Sequence, residues 1–279
     1  MGNFFNYNGK IFAKNISVIH FDNRSLRYGD GLFETMKIEN GQIAFENEHF
    51  ERLFNGLNTL GFIIPGSFSK ENIIQQITEL AKLNTCEKEA RVRLNVFRGD
   101  GNLYDMDDLS PHYIIETSHL KMNSKLNEEG LIAGIFADAK KSCDVLSNLK
   151  TNNYLPSVMA ALHAKKEKWD EAVMLNCYGR VCESTVANIF FIKNEMIYTP
   201  SLNEGCVAGI MRQFLLKTLP VKGFQIIEKE ITIDELVDAD EVFLTNSIQN
   251  IRWVKKISDK IFDSTVTRKI YSLVFSSTG

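Results

Sequence analysis

The sequence has few cysteines, and they are scattered: Cys86, Cys143, Cys177, Cys182 and Cys206, with no CxxC pair. An odd, dispersed set is no disulfide framework. Neither Cys177 nor Cys182 has a histidine at zinc-ligand spacing. The thiols read as reduced, which fits a cytoplasmic protein. No run approaches the ~18 apolar residues of a membrane helix. Residues 1–14 lack the apolar core of a signal peptide, so neither membrane residence nor export is expected. Charge of one sign is missing too. A net charge of -3 excludes a general nucleic-acid binder, and Lys165-Lys166 and Lys255-Lys256 read as solvated faces. There is no GxGxxG, Walker A or HExxH pattern. His20, His49, His112, His119 and His163 lack metal-ligand spacing, so no metal is expected, and Ser110 and Ser147 lack a nucleophile-elbow context. Repeats and low-complexity segments are also absent. What remains is a chain of 279 residues, 44% hydrophobic and 24% charged. That is the composition of a soluble globular protein with enough length for two domains.

Patterning supplies the elements. Residues 11–21 and 31–38 read as strands, with 42–46 pairing back around Asn40-Gly41. Over residues 49–60, Phe50, Leu53, Leu57 and Leu60 fall at helical spacing. A second helix is expected over 70–83, capped by Ser69, with Ile73, Ile74, Ile77, Leu80 and Ala81 as its buried stripe. Residues 90–97 alternate, Val92, Leu94 and Val96 to one side and Arg91, Arg93 and Asn95 to the other, and 112–117 is the expected neighbour. The polar stretch 121–130 marks a linker. Beyond it, strands at 131–137, 171–176, 186–192, 224–231 and 240–245 alternate with helices near 156–168, 210–219 and 264–275; Pro156 suits a first helical turn. The expectation is an α+β chain of two domains, 1–120 (small, N-terminal) and 131–279 (larger, C-terminal), with a cleft between them.

Several residues have two readings. Lys150, in SNLKTNNYLP, is a surface lysine or a partly buried nucleophile, and its own segment does not decide. Glu183, in GRVCESTVANIFFI, is a salt-bridged strand-edge acid or a carboxylate of the kind a pyridoxal enzyme sets against its ring nitrogen. Ala208-Gly209-Ile210-Met211-Arg212 opens a helix. Its first-turn N–H groups and dipole suit an anion, while an ordinary loop glycine explains Gly209 equally well. Thr245-Asn246-Ser247 is a set of donors or simply the end of a strand. Arg52 is a fixed positive charge or a helix-surface ion pair.

Taken in order, RYGDGLFET (27–35), ENEHFERL (46–53), LKTNNYL (149–155), ESTVANIFFI (183–192), GIMRQF (209–214) and FLTNS (243–247) resemble the class IV aminotransferases. These are the fold type IV pyridoxal-phosphate enzymes, which include branched-chain and D-amino-acid transaminases and aminodeoxychorismate lyases. The resemblance implies a D-amino-acid transaminase-like fold with pyridoxal 5'-phosphate in the interdomain cleft, and a homodimer in which the small domain completes the partner's site. It implies that Lys150 is the Schiff-base lysine and the base that moves the α-proton. Glu183 would pair with the ring nitrogen and Tyr154 with the ring hydroxyl oxygen. Arg52, the N–H groups of Ile210 and Met211, and Asn246 with Ser247 would hold the phosphate. Phe33 and Glu34 would line the substrate side, and Arg91, Arg93 and Arg98 are candidates for a substrate carboxylate.

Within the family, GIMRQF and FLTNS resemble the lyases, since transaminases more often have Thr where Met211 stands and branched-chain enzymes Gly-Thr where Asn246-Ser247 stand. Arg91 replaces a Tyr favoured by the branched-chain enzymes, which suits a dianionic substrate. Gln249-Asn250 and Glu34 point the other way. The expectation is 4-amino-4-deoxychorismate lyase, forming 4-aminobenzoate and pyruvate in folate synthesis. The alternative is a branched-chain or D-amino-acid transaminase, and a remote one is a binding protein that has lost catalysis.

Overall fold

A computed structural model describes residues 2–105, 107–121 and 125–275. The chain divides into two compact units, Met1–Met122 with Leu149–Asn153, and Asn123–Asn148 with Tyr154–Gly279. Residues 149–153 therefore group with the first unit, although the limits expected from sequence put them in the second. The cause is backbone pairing across a long gap in sequence. Phe33 N donates to Lys150 O at 2.9 Å, and Asn152 N to Gly31 O at 2.9 Å. A polar KTNN run carries no sign of a strand partner so far away. Of the linker expected at 121–130, residues 122–124 lie outside the described residues.

The first unit holds β1 (Phe4–Tyr7), β2 (Lys10–Ala13), α1 (Arg24–Tyr28), β3 (Gly31–Glu39), β4 (Gln42–Ile43), α2 (Glu46–Thr59), α3 (Lys70–Leu83), β5 (Glu89–Phe97) and β6 (His112–His119). Its antiparallel sheet runs β2-β1-β6-β5-β3-β4. The strand expected at 11–21 ends at Ala13. Asn8 and Gly9 take φ of 48° and 83°, which folds the chain into a tight hairpin with β1. Beyond it, Asn23 caps the short α1. The alternation in β5 holds: Val92, Leu94 and Val96 are buried with Leu53, Leu57, Ile73, Ile77 and Leu80 of the two long helices. Ser69 accepts from Asn72 N, as the N-terminus of α3 requires.

The second unit holds β7 (Leu131–Lys141), α4 (Leu155–Glu167), β8 (Glu171–Asn176), β9 (Val181–Ser184), β10 (Asn188–Lys193), β11 (Met196–Pro200), α5 (Ile210–Val221), β12 (Ile226–Lys229), α6 (Ile233–Val237), β13 (Glu241–Asn246), β14 (Asn250–Ile257), β15 (Lys260–Ile261) and α7 (Thr265–Phe275). The sheet order is β12-β11-β10-β13-β14-β7-β8-β9, with β15 on β14. Val173, Ile189, Val242, Leu244 and Val254 form its core. The strand expected at 224–231 contracts to β12. β14 is hidden in the sequence because Arg252, Lys255 and Lys256 break its apolar alternation. The Glu241 carboxylate accepts from Val266 N and Thr267 N, closing the N-terminus of α7. Among the described residues no helix is long and apolar enough to cross a membrane.

Candidate active site

In the first unit, pairing to β3 fixes the backbone of Lys150. Its Nζ lies 4.5 Å from the centroid of the Phe33 ring. The Arg93 guanidinium lies 4.0 Å from the same centroid. Cross-strand partners share a face, so the pairs Phe33–Asn95, Thr35–Arg93 and Lys37–Arg91 place Phe33, Arg93 and Arg91 on the sheet face opposite the helices. Arg91 is exposed, and Arg93 and Lys150 are half-buried.

Glu34 is a correction. Successive strand residues point to opposite faces, so Glu34 cannot line the substrate side together with Phe33. It turns to the helix face, where it is 2% exposed. There it accepts from His49 Nδ1 at 2.7 Å, from Arg52 Nε at 2.7 Å and from Arg52 Nη2 at 2.6 Å. Burial pushes this carboxyl up, but Arg52 and His49 outweigh it and hold it at about 2. Arg52, expected at the phosphate, has its Nε and Nη2 engaged by Glu34. Arg98 is not turned to a substrate carboxylate either. It pairs with Asp30 at 2.5 Å, donates to Leu60 O and covers the Phe62 ring at 4.3 Å. Arg24 holds the other oxygen of Asp30 at 2.9 Å.

In the second unit, Glu183 on β9 is 3% exposed. Its Oε1 accepts from Lys141 Nζ, and its Oε2 from Val207 N at 2.9 Å. Asn188 Nδ2 donates to Val207 O at 2.9 Å, which steadies that peptide. Tyr154 donates its hydroxyl to Thr185 O at 3.3 Å. Burial and then the Glu183 carboxylate push its phenol up to about 12, so it stays protonated. The loop 207–209 leads into α5. Its N-cap, Gly209, offers no side-chain hydrogen bond, and its first turn contains no acid. The N–H groups of Ile210 and Met211 thus sit at a helix start that no side chain caps. A Cβ on Gly209 would meet Asn188 Oδ1 at 1.9 Å. Gly209→Ala is expected to cost about 1–3 kcal/mol, read as a lowered thermal midpoint, and to weaken anion binding at this turn by displacing Asn188.

Asn246 has a more local role than expected. Its Oδ1 accepts from Ile248 N at 3.0 Å and Gln249 N at 2.8 Å, closing its own turn. Ser247 sits half-buried in that turn. Among the described residues, the one group of three metal-type ligand atoms is His20, Asp22 and Asp100 in the first unit, where His20 and Asp100 form a surface ion pair at 3.0 Å.

Lys141 and Val207 N were not legible. The expected strand stopped at residue 137, and an irregular register between Phe136 and Lys141 removes the period-2 pattern that would have placed Lys141 beside Glu183. His49 carried a weak signal: three residues before Arg52, it shares a helix face with it.

Residues 31–257 match the family described as Amino-transferase class IV. The chain is 30% identical over 272 residues to a putative branched-chain-amino-acid aminotransferase of Methanocaldococcus jannaschii, covering 94% of this chain and 92% of that one. It is 29% identical over 239 residues to the aminodeoxychorismate lyase of Vibrio harveyi, covering 84% and 86%. Against the D-alanine aminotransferase of Bacillus licheniformis the figures are 28% over 263 residues, 92% and 89%. In fold it resembles a branched-chain aminotransferase from Thermoproteus uzoniensis, with a TM-score of 0.87 at 23% identity over 99% of this chain and 94% of that one. A putative 4-amino-4-deoxychorismate lyase from Legionella pneumophila gives 0.83 at 26% identity, covering 94% and 96%.

Proposed function

The chain belongs to the class IV aminotransferase family and is a pyridoxal-phosphate-dependent enzyme, and from that premise we propose that it is a 4-amino-4-deoxychorismate lyase, releasing 4-aminobenzoate and pyruvate in folate synthesis. One observation carries the choice of substrate. The Arg93 guanidinium and the Lys150 amine approach the same Phe33 ring, at 4.0 and 4.5 Å. An anion-binding cation one aromatic ring away from the reactive amine suits a substrate with a carboxylate beyond its amine-bearing carbon. Exposed Arg91, on the same sheet face, adds to that field.

Each unit by itself holds residues that fit a part of the cofactor: a buried carboxylate, a protonated phenol and a helix start with no side-chain cap in the second, and a half-buried lysine in the first. When bound, the cofactor supplies an electron-accepting ring for the carbon that loses its proton. Lys150 Nζ would be the amine that holds it and the base that takes the proton from that carbon. Glu183 would face the ring nitrogen and keep it protonated. Tyr154 would turn its hydroxyl from Thr185 O to the ring's phenolic oxygen, and a phenol held at about 12 stays protonated to do so across the working pH range. The first-turn N–H groups of Ile210 and Met211 would hold the phosphate, with Ser247 and Arg52 adding donors. Glu34 and His49 set the orientation of Arg52.

Amino transfer is the second reading, favoured by the 30% identity to the putative branched-chain enzyme across 94% of the chain. The test is a two-arm assay on cofactor-loaded protein. One arm supplies aminodeoxychorismate; the other supplies leucine, isoleucine, valine or D-alanine with 2-oxoglutarate. Efficient 4-aminobenzoate formation with little transfer is expected, and efficient transfer without 4-aminobenzoate would make the protein a transaminase. A homodimer is also proposed. Leu155, Val158, Met159 and Leu162 form an exposed apolar stripe along α4, the kind of face a second copy covers. The five free cysteines fit a cytoplasmic setting.

A further inference from the structure

Lys141 has no assigned part in the site, yet its ammonium pairs with the carboxylate the cofactor needs most. It is the last residue of β7, held by Cys177 N donating to its carbonyl at 2.9 Å and by its register with Asn176. Its Nζ donates to Glu183 Oε1, and both side chains are largely buried. Val207 N takes the other oxygen. Each oxygen so has one protein donor and still has a lone pair for another.

A buried ion pair is a poor way to stabilise a fold, since apolar residues of similar volume often do as well or better. Its value here lies in what it does to the carboxylate. We propose that Lys141 is a positioning residue that fixes the Glu183 carboxylate and offsets its charge, so that the protonated ring nitrogen meets an already balanced pair rather than a lone buried anion. This rests on the assignment of Glu183 to the ring nitrogen.

The charge is present throughout the working range. Burial works against the ammonium, but the Glu183 carboxylate outweighs it and holds Lys141 above the usual lysine range. The other titratable groups facing the pair are Cys182 on β9, Tyr154 ahead of α4 and Cys206 in the loop before α5. All three are pushed up by burial and are neutral. Removing Lys141 therefore leaves the site more negative by one charge. Every protonation of the bound cofactor then becomes easier and moves to higher pH.

The experiment uses the full chain loaded with pyridoxal phosphate, as native protein and as Lys141→Gln, Lys141→Arg and Glu183→Gln. It reads the pH midpoint of the change in visible absorption, with the thermal midpoint as a control for folding. Lys141→Gln puts an amide N–H donor in place of the ammonium and loses the charge. Its colour midpoint is expected to rise by at least about 0.5 pH unit, with Lys141→Arg restoring the native value. A Lys141→Gln protein with lowered thermal stability and a native colour midpoint overturns the proposal and makes the lysine purely structural. If Lys141→Gln does not fold, Lys141→Arg decides, since a displaced midpoint despite the retained charge overturns the proposal as well. If Glu183→Gln also leaves the midpoint unmoved, the assignment of Glu183 itself fails. If Glu183→Gln moves it and Lys141→Gln does not, only the role of Lys141 falls.

Discussion

Replacing Lys150 with alanine is expected to give a folded protein that cannot attach pyridoxal phosphate covalently and that turns over its substrate at least about 10³-fold more slowly. The side chain supplies both the attachment and the base, so no other group in its segment can substitute: Thr151, Asn152 and Asn153 are not basic. The fold should survive because the segment is held by its backbone. Phe33 N on Lys150 O and Asn152 N on Gly31 O do not involve the lysine side chain. Truncating a half-buried lysine away from core packing costs within about 1 kcal/mol. Thermal unfolding beside native protein checks the fold, and absorption with turnover checks the chemistry. A Lys150→Ala protein that keeps both its colour and its rate would remove the lysine from the mechanism.

The second large effect concerns stability. Glu34→Ala is expected to cost about 3–5 kcal/mol, because it strands the Arg52 guanidinium and the buried His49 ring without their shared carboxylate. It should also weaken phosphate binding by freeing the orientation of Arg52. The same network sets an acid limit. The Glu34 carboxyl sits at about 2 in the folded protein against 4.5 for an ordinary glutamate. A depressed value means that the folded state binds this proton less readily than the unfolded chain. The contribution to stability is then fully present above about pH 4.5 and is lost as pH falls towards 2, on the order of 3 kcal/mol in all. Denaturant titrations at several pH values from 2 to 6 check this. In Glu34→Gln that part of the acid slope should be missing.

The sequence carried the elements whose physics is local. The stripe of α3, its Ser69 cap and the alternation of β5 are set by neighbours a few residues away. The motifs around Lys150, Glu183 and Gly209 carried the family. What escaped depended on pairing at long range or on the face of a strand. The return of 149–153 to the first unit needs β3 as a partner. Lys141 reaches Glu183 only because β7 runs four residues further than its apolar pattern, through an irregular register. Glu34 was misplaced for a simpler reason. A motif read as a string assigned neighbouring residues to one face, although a strand separates them. Arg98 and Asn246 carried suitable chemistry, but the fold spends their donors and acceptors on Asp30, Leu60 and a local turn.

The most direct measurement is borohydride reduction of the cofactor-loaded protein, followed by proteolysis and mass spectrometry of the peptides. Attachment at Lys150 predicts a phosphopyridoxyl group on the peptide containing Lys150 and no label on Lys141. A label on a different lysine, or none under conditions that fix the cofactor to other pyridoxal enzymes, would contradict it.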